Sequence, residues 1–283
     1  MTEPSTPILL VGAGGMLGRA FCKLLAEEQL EFRSVDLPEI DLADSASIDR
    51  ALVPGTQTVI NCAAFTDVDG AEDHEGAATA INGDGVGRLA RRCADVGAVL
   101  VHYSTDYVFD GQAHEPYVAE HPRAPINAYG RSKARGEELL VAAGGPHILL
   151  RTSWLYAPWG KNFVLTMRDL TRSRSKLNVV ADQVGRPTSA QYLARRSLEL
   201  LRAEGRGTFH VTDGGMCSWY ELAREVAAIV DADCRIEPCT SADFPRPAPR
   251  PAYSVLDLTR VESVLGPSRP WRENVRAVLA QVE

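Results

Sequence analysis

Ile8-Leu9-Leu10-Val11-Gly12-Ala13-Gly14-Gly15-Met16-Leu17-Gly18 decides how this chain folds. Its first four residues are apolar without alternation, as in a strand covered on both faces of a parallel sheet. The glycines follow at once, and Leu17, Ala20, Phe21, Leu24 and Leu25 then recur at helical spacing to about Glu28. Strand, glycine-rich turn and helix together form a dinucleotide cradle. Glycine permits the tight turn and a close backbone approach, and the helix N-terminus faces the pyrophosphate. The spacing is not Gly-x-Gly-x-x-Gly, because position 17 is Leu; what fits is Gly12-x-x-Gly15-x-x-Gly18.

Downstream the pattern repeats. Phe32 to Val35 reads as a second strand ending in Asp36, an acid suited to the adenosine ribose hydroxyls and repulsive to a 2′-phosphate. Asp41-Leu42 precedes a short helix over 45–52, capped by Asp44 or Ser45. Thr58 to Asn61 is a third strand running into Cys62-Ala63-Ala64-Phe65-Thr66, small residues against which a flat cofactor can lie. One helical stretch spans 71–96, with Ala80, Ile81, Leu89, Ala90 and Cys93 on its core face. Ala98 to Tyr103 is a fourth strand that delivers Ser104-Thr105-Asp106 to the same edge, and His147 to Arg151 is a fifth. Strand–helix alternation of this kind means an α/β doubly wound parallel sheet of the Rossmann type.

After Arg151 the alternation loosens. The nucleotide-binding domain is expected over 1–151, with returning segments near 177–203 and 253–257; a smaller, interleaved C-terminal substrate lobe takes 152–176 and 204–283. Pro245-Arg246-Pro247-Ala248-Pro249-Arg250-Pro251 cannot be helical, since proline removes donors and fixes φ. It reads as a surface loop, with a lid as the open alternative.

The chemistry is expected at Asn127-Ala128-Tyr129-Gly130-Arg131-Ser132-Lys133, at the start of a helix. Tyr129 and Lys133 are four apart and share a face, ~6 Å along the axis. A cation at that distance stabilises phenolate by ~3 kcal/mol at an effective dielectric of ~20, bringing a phenol from ~10 toward ~8. That is within reach of acid–base work.

Bulk composition narrows the partners. Apolar residues at 45% and charged residues at 24% are ordinary for a globular protein, and a net charge of -7 argues against nucleic acid or an anionic membrane. No apolar run approaches the ~20 residues of a membrane helix. Residues 1–7 carry Glu3 and prolines rather than an apolar stretch and read as a loose tail, not a signal peptide. The six cysteines form no Cys-x-x-Cys pair and read as reduced thiols of a cytoplasmic protein. The six histidines show no ligand spacing, and no metal site is expected.

Together these stretches resemble the extended short-chain dehydrogenase/reductases, and within them the dTDP-4-dehydrorhamnose reductase family. The likeness runs from Ile8 to about Asp257 through the glycine motif, Asn61 to Asp69, Ser104 to Gly111, Tyr129 to Lys133, Arg151 to Trp154, Asn162-Phe163, Asp182 to Thr188, Ser218-Trp219 and Arg250-Pro251. The resemblance implies NADPH-dependent reduction of the 4-keto group of dTDP-4-dehydro-β-L-rhamnose, with NADH also usable. Tyr129 would donate a proton to the ketone oxygen, Lys133 would hold the nicotinamide ribose, and Thr105 would bind the reacting oxygen. Gly12, Gly15, Met16, Leu17, Gly18, Asp36, Asp41, Leu42, Ala64, Phe65, Thr66 and Tyr103 match cofactor positions. Asp106, Trp154, Asn162 and Arg186 would meet the nucleotide sugar, Arg186 or a neighbouring arginine taking the diphosphate. Some members bind Mg²⁺ at a dimer interface through a glutamate where this chain has Ala20, so that metal is not expected, and the chain is read as monomer or homodimer. Two rivals stand beside this reading: a reductase of another nucleotide-linked 4-keto-6-deoxysugar, and a non-catalytic regulatory subunit like the methionine adenosyltransferase β subunit.

Overall fold

The computed structural model describes residues 8–53 and 55–282, so the expected loose tail lies outside the described residues. The first half alternates as expected: β1 (Ile8–Val11), α1 (Met16–Glu27), β2 (Phe32–Val35), α2 (Ser45–Ala51), β3 (Thr58–Asn61), α3 (Gly70–Asp73), α4 (Glu75–Thr79), α5 (Val86–Val96), β4 (Val99–Thr105), α6 (Ala128–Ala142) and β5 (His147–Thr152). The second half holds β6 (Leu155–Tyr156), α7 (Phe163–Ser173), β7 (Lys176–Val180), β8 (Val184–Gly185), β9 (Thr188–Ser189), α8 (Ala190–Arg202), β10 (Gly207–His210), β11 (Cys217–Ser218), α9 (Trp219–Ile229), β12 (Arg235–Cys239), α10 (Thr259–Leu265) and α11 (Trp271–Leu279).

Six parallel strands form the central sheet in the order β10-β5-β4-β3-β1-β2. Both faces are covered, which is why β1 and β3 are buried at every position. Ile8 and Leu10 point into a core closed by Phe21, Leu25 and Leu193; Leu9 and Val11 point the other way, toward Ile48, Leu89 and Ala90. Strand order reverses between β1 and β3, where open α/β sheets hold their ligands. A separate core around Tyr156, Val164, Leu222 and Trp271 builds the smaller lobe from α7, α9, α11 and the β7–β12 pair.

Three local outcomes differ from the sequence reading. The stretch 71–96 is not one helix. It breaks at His74 and carries a π-helical segment, Ala80–Gly85, before α5. The segment 177–203 divides: β7 pairs with β12 in the smaller lobe, whereas α8 packs on α1 beneath the central sheet. Gly207–His210, grouped with the substrate lobe by sequence, is the sixth strand of the central sheet. Apolar patterning reports that a strand is buried, not which neighbour it pairs with.

Candidate active site

The C-terminal ends of β1, β3 and β4 open into a cleft of about 630 Å³ that the smaller lobe closes from above. Gly12, Gly15, Met16, Leu17, Asp36, Asp41, Leu42, Ala64, Thr66 and Tyr103 line it. Gly12 has φ +78, and a Cβ there would lie 2.5 Å from the Ala63 nitrogen. Gly18 lies off the cleft but lets α1 sit directly on the turn, for its Cβ would meet the Gly12 carbonyl at 2.1 Å. No side chain caps the α1 N-terminus at Gly15, so its positive end is left to the cleft. Glycine cradle, bare helix end and flat alanine floor fit a dinucleotide pyrophosphate. Asp36 accepts from Gly14 N at 2.7 Å and from Leu37 N at 2.9 Å, which holds its carboxylate beside the glycine turn. Phe65 does not line the cleft; it packs behind it with Ala71, Ala78, Ala128 and Tyr129.

Deeper in the cleft lie Thr105, Asp106, Tyr129 and Lys133. β4 carries Thr105 at its last position. Asn127 caps α6: it is fully buried, its side chain accepts from Gly130 N at 2.7 Å, and its amide donates to Pro249 O at 2.9 Å. The Thr105 hydroxyl donates to Asp106 Oδ1 at 2.9 Å and accepts from Tyr107 N at 3.1 Å. The ring of Tyr107 meets that of Tyr129 edge-on at 6.1 Å.

The electrostatics overturn one expectation. Tyr129 is not brought toward neutrality by Lys133. Burial and the neighbouring Asp106 push its phenol well above the ordinary value, against the Thr105 hydroxyl, which lowers it. The Lys133 ammonium is spent elsewhere, donating to Tyr103 O at 2.5 Å. Burial draws it down to about 8, opposed by Glu137 one turn on. Glu137 is fully buried yet held below the usual carboxylate range because Arg151 grips it through two bonds, at 2.9 and 2.7 Å. Burial also lifts Asp106 to about 6. The site therefore holds Tyr129 as a neutral phenol, a proton donor rather than a base.

Among the expected substrate residues, Trp154 reaches the cleft, but its faces are taken. Trp219 stacks on it with centroids 3.6 Å apart, and a Cβ on Gly185 would lie 2.7 Å from its ring. Trp154 also sits at φ +48, a left-handed backbone rare for a bulky residue. Asn162 stays out of the cleft. It accepts from Leu165 N at 3.1 Å as the cap of α7 and donates to Ala157 O at 2.9 Å. Arg186 lies in a different hollow with Gly214, Met216 and Trp271, and donates to Gly215 O at 3.0 Å. The Asn162 side chain is occupied by its own backbone surroundings, and Arg186 keeps a buried Nε without a partner, away from the cleft. Ala20 is buried in the core of α1, and among the described residues no three His, Cys, Asp or Glu side chains group as a metal site. No helix among them is long and apolar enough to cross a membrane. Sequence reasoning missed Lys161 on the cleft wall and Asn82 behind it, and gave Trp219 only as part of the Ser218-Trp219 likeness, without a place on the cleft wall.

The whole chain has relatives. Residues 6–283 match the family described as the RmlD substrate binding domain. A probable dTDP-4,6-dihydroxy-2-methyloxan-3-one 4-ketoreductase of Streptomyces antibioticus is 42% identical over 97% of this chain and 95% of its own. A dTDP-4-dehydrorhamnose reductase of Mycobacterium tuberculosis is 41% identical over 99% of this chain and 94% of its own. A Bacillus anthracis dTDP-4-dehydrorhamnose reductase solved with NADP superposes with a TM-score of 0.92 at 33% identity, covering 97% of this chain and 98% of that one. The chain belongs to the RmlD substrate-binding-domain family, the family of the dTDP-4-dehydrorhamnose reductases.

Proposed function

We propose that this protein reduces the 4-keto group of dTDP-4-dehydro-β-L-rhamnose to the alcohol of dTDP-β-L-rhamnose, using NADPH. The observation that carries the reading is the neutral Tyr129 phenol beside the Thr105 hydroxyl at the deep end of a dinucleotide cleft. A bound nicotinamide supplies the hydride, and Gly12, Gly15, Met16, Leu17 and Lys133 would hold its dinucleotide. Thr105 orients the ketone oxygen. Tyr129 gives that oxygen its proton as negative charge develops, which is general acid catalysis. Lys133, charged below about pH 8, donates one N–H to the Tyr103 carbonyl and would turn its remaining donors to the nicotinamide ribose. NADPH follows from the NADP-bound relative. Asp36 is the group that would admit NADH, since its carboxylate suits a free ribose diol.

The Streptomyces relative favours a second substrate of the same kind. Its name describes a ketone beside the methyl-bearing carbon and no hydroxyl next to the anomeric position. The two substrates share the reacting group and differ at that hydroxyl. The deciding experiment supplies both dTDP-linked ketones with NADPH and identifies the products by NMR. The expected result is dTDP-β-L-rhamnose, abolished ~10²–10⁴-fold in Tyr129→Phe. The opposite C4 epimer, or preference for the deoxy substrate, would move the protein to the sister activity. No product from folded, cofactor-loaded protein would favour the regulatory-subunit reading.

A further inference from the structure

The cleft is short of positive charge for the ligands proposed for it. Its acids are Asp36, Asp41 and Asp106; its cations are Lys133 and Lys161. Lys133 is buried and committed to the Tyr103 carbonyl. Lys161 is exposed on the cleft wall beside Trp154 and Leu155. The lysines that form ion pairs among the described residues are Lys23, with Glu27, and Lys176, with Glu237; Lys161 forms none.

The backbone beneath Lys161 is held firmly although its side chain is free. Trp159 Nε1 donates to Met16 O at 3.1 Å, across the cleft from the smaller lobe to the start of α1. The Asn162 amide donates to the carbonyls of Ala157, Trp159 and Gly160 at 2.9, 3.4 and 3.3 Å, folding the loop into one conformation. Gly160 turns it at φ +73. Asn162 then caps α7, which leaves Lys161 one residue outside the cap, beside the positive end of an 11-residue helix. A cation there is unfavourable to the helix. An unpaired ammonium on a rigid loop, set against the helix dipole and facing a cleft, works against the stability of the free protein. An anion bound in the cleft beside the ammonium would relieve it.

We propose that Lys161 is the anchor for a diphosphate at the cleft mouth, that of the nucleotide sugar. The cradle and the bare N-terminus of α1 already answer the cofactor pyrophosphate. The proposal rests on the nucleotide-sugar reading above. Binding energy at this remote group would be used to hold the ketone against Tyr129.

The test is calorimetric binding of dTDP, thymidine and NADPH to the intact wild-type protein, to Lys161→Ala and to Lys161→Arg, with a melting curve for each. Loss of one charge-assisted contact should weaken dTDP roughly 10–100-fold. Thymidine and NADPH affinity should not change, Lys161→Arg should restore most of the loss, and Lys161→Ala should melt no lower than wild type. Equal weakening of dTDP and thymidine, or of neither, overturns the assignment to Lys161. Weakening of NADPH alone gives the anchored diphosphate to the cofactor and overturns it as well. Wild-type protein that binds dTDP no more tightly than thymidine would sink the nucleotide-sugar reading itself, and this proposal with it.

Discussion

At the scale of single residues, the site's acid–base character comes from burial more than from the charge that sequence spacing suggested. Four-residue spacing correctly put Tyr129 and Lys133 on one helix, and both reach the cleft. It could not show that the ammonium turns to the Tyr103 carbonyl, nor that Asp106 lies under the phenol with 2% of its surface exposed. Asp106 makes this testable. Its pKa of about 6 in the folded protein lies above the 3.8 of a free side chain, so the native state binds the proton more tightly than the unfolded chain. The corresponding stability is present below about pH 4 and is lost as pH rises through about 6. Ionised, the buried carboxyl costs the fold about 3 kcal/mol. Asp106→Asn removes that ionisation. Its melting temperature relative to wild type should climb from about pH 4 and level off above about pH 6, while turnover falls because Thr105 loses an ionised partner. A difference that stays constant across that range would mean Asp106 is not held in the protonated-favouring state described.

At the scale of elements, α6, which carries Tyr129 and Lys133, is positioned by its neighbours' irregularities. The π-helical segment Ala80–Gly85 turns Asn82 inward. Asn82 is 1% exposed, accepts from Phe65 N at 2.9 Å, and donates to Phe65 O at 2.9 Å and to Ser132 Oγ at 3.0 Å. One side chain thus ties the loop after β3, which floors the cofactor cleft, to the residue before Lys133. Gly136 permits the contact, since a Cβ there would lie 2.1 Å from Asn82 O; Gly130 likewise admits Tyr107 O at 2.2 Å. The sequence signal was present as a polar residue followed by Gly83 and Gly85 inside an apolar helical pattern. Periodicity alone smoothed it into one helix, because a π turn shifts the phase of the pattern without ending it. Asn82→Ala should leave the buried Phe65 amide group and Ser132 without their partner and cost about 2–3 kcal/mol in urea unfolding. Turnover should fall more than cofactor affinity, since the helix bearing Lys133 loses its reference point. A loss of stability within about 0.5 kcal/mol, the range of an ordinary surface substitution, would show that the π segment holds without its side chain.

At the scale of the whole molecule, the alternating half was legible because its strands carry short buried apolar runs, β1 at every position, and the helices between them carry apolar faces. The crossing of the second half was not, because pairing partners leave no mark on periodicity. The clearest case is the proline-rich strap. Its composition gave only a loop, yet Ala248 is 1% exposed and the strap is pinned to the first half of the chain. Asp69 pairs with Arg246 at 3.3 Å and with Arg250 at 3.0 Å, and accepts from Ala248 N at 3.3 Å. Asn127 holds Pro249 O from the head of α6. Arg250 in turn lies 5.9 Å over the ring of Tyr107, the residue edge-on to Tyr129. Asp69 therefore acts as the fastener by which the C-terminal half closes on the active site. Each pair is partly exposed, with side-chain accessibility of 63% for Arg246 but 16% for Arg250 and 24% for Asp69, so most of the attraction lies in the Arg250 contact. Asp69→Ala should leave two guanidinium groups without a counter-charge beside the cleft and release the strap, while the cores on the two faces of the sheet and in the smaller lobe, which contain none of these residues, stay folded. Proteinase K should then cut between residues 240 and 252 at a protease concentration that leaves wild type intact, and the Michaelis constant for the nucleotide sugar should change with it. Identical digestion of the two proteins would show that proline content and the Asn127 contact hold the strap without Asp69.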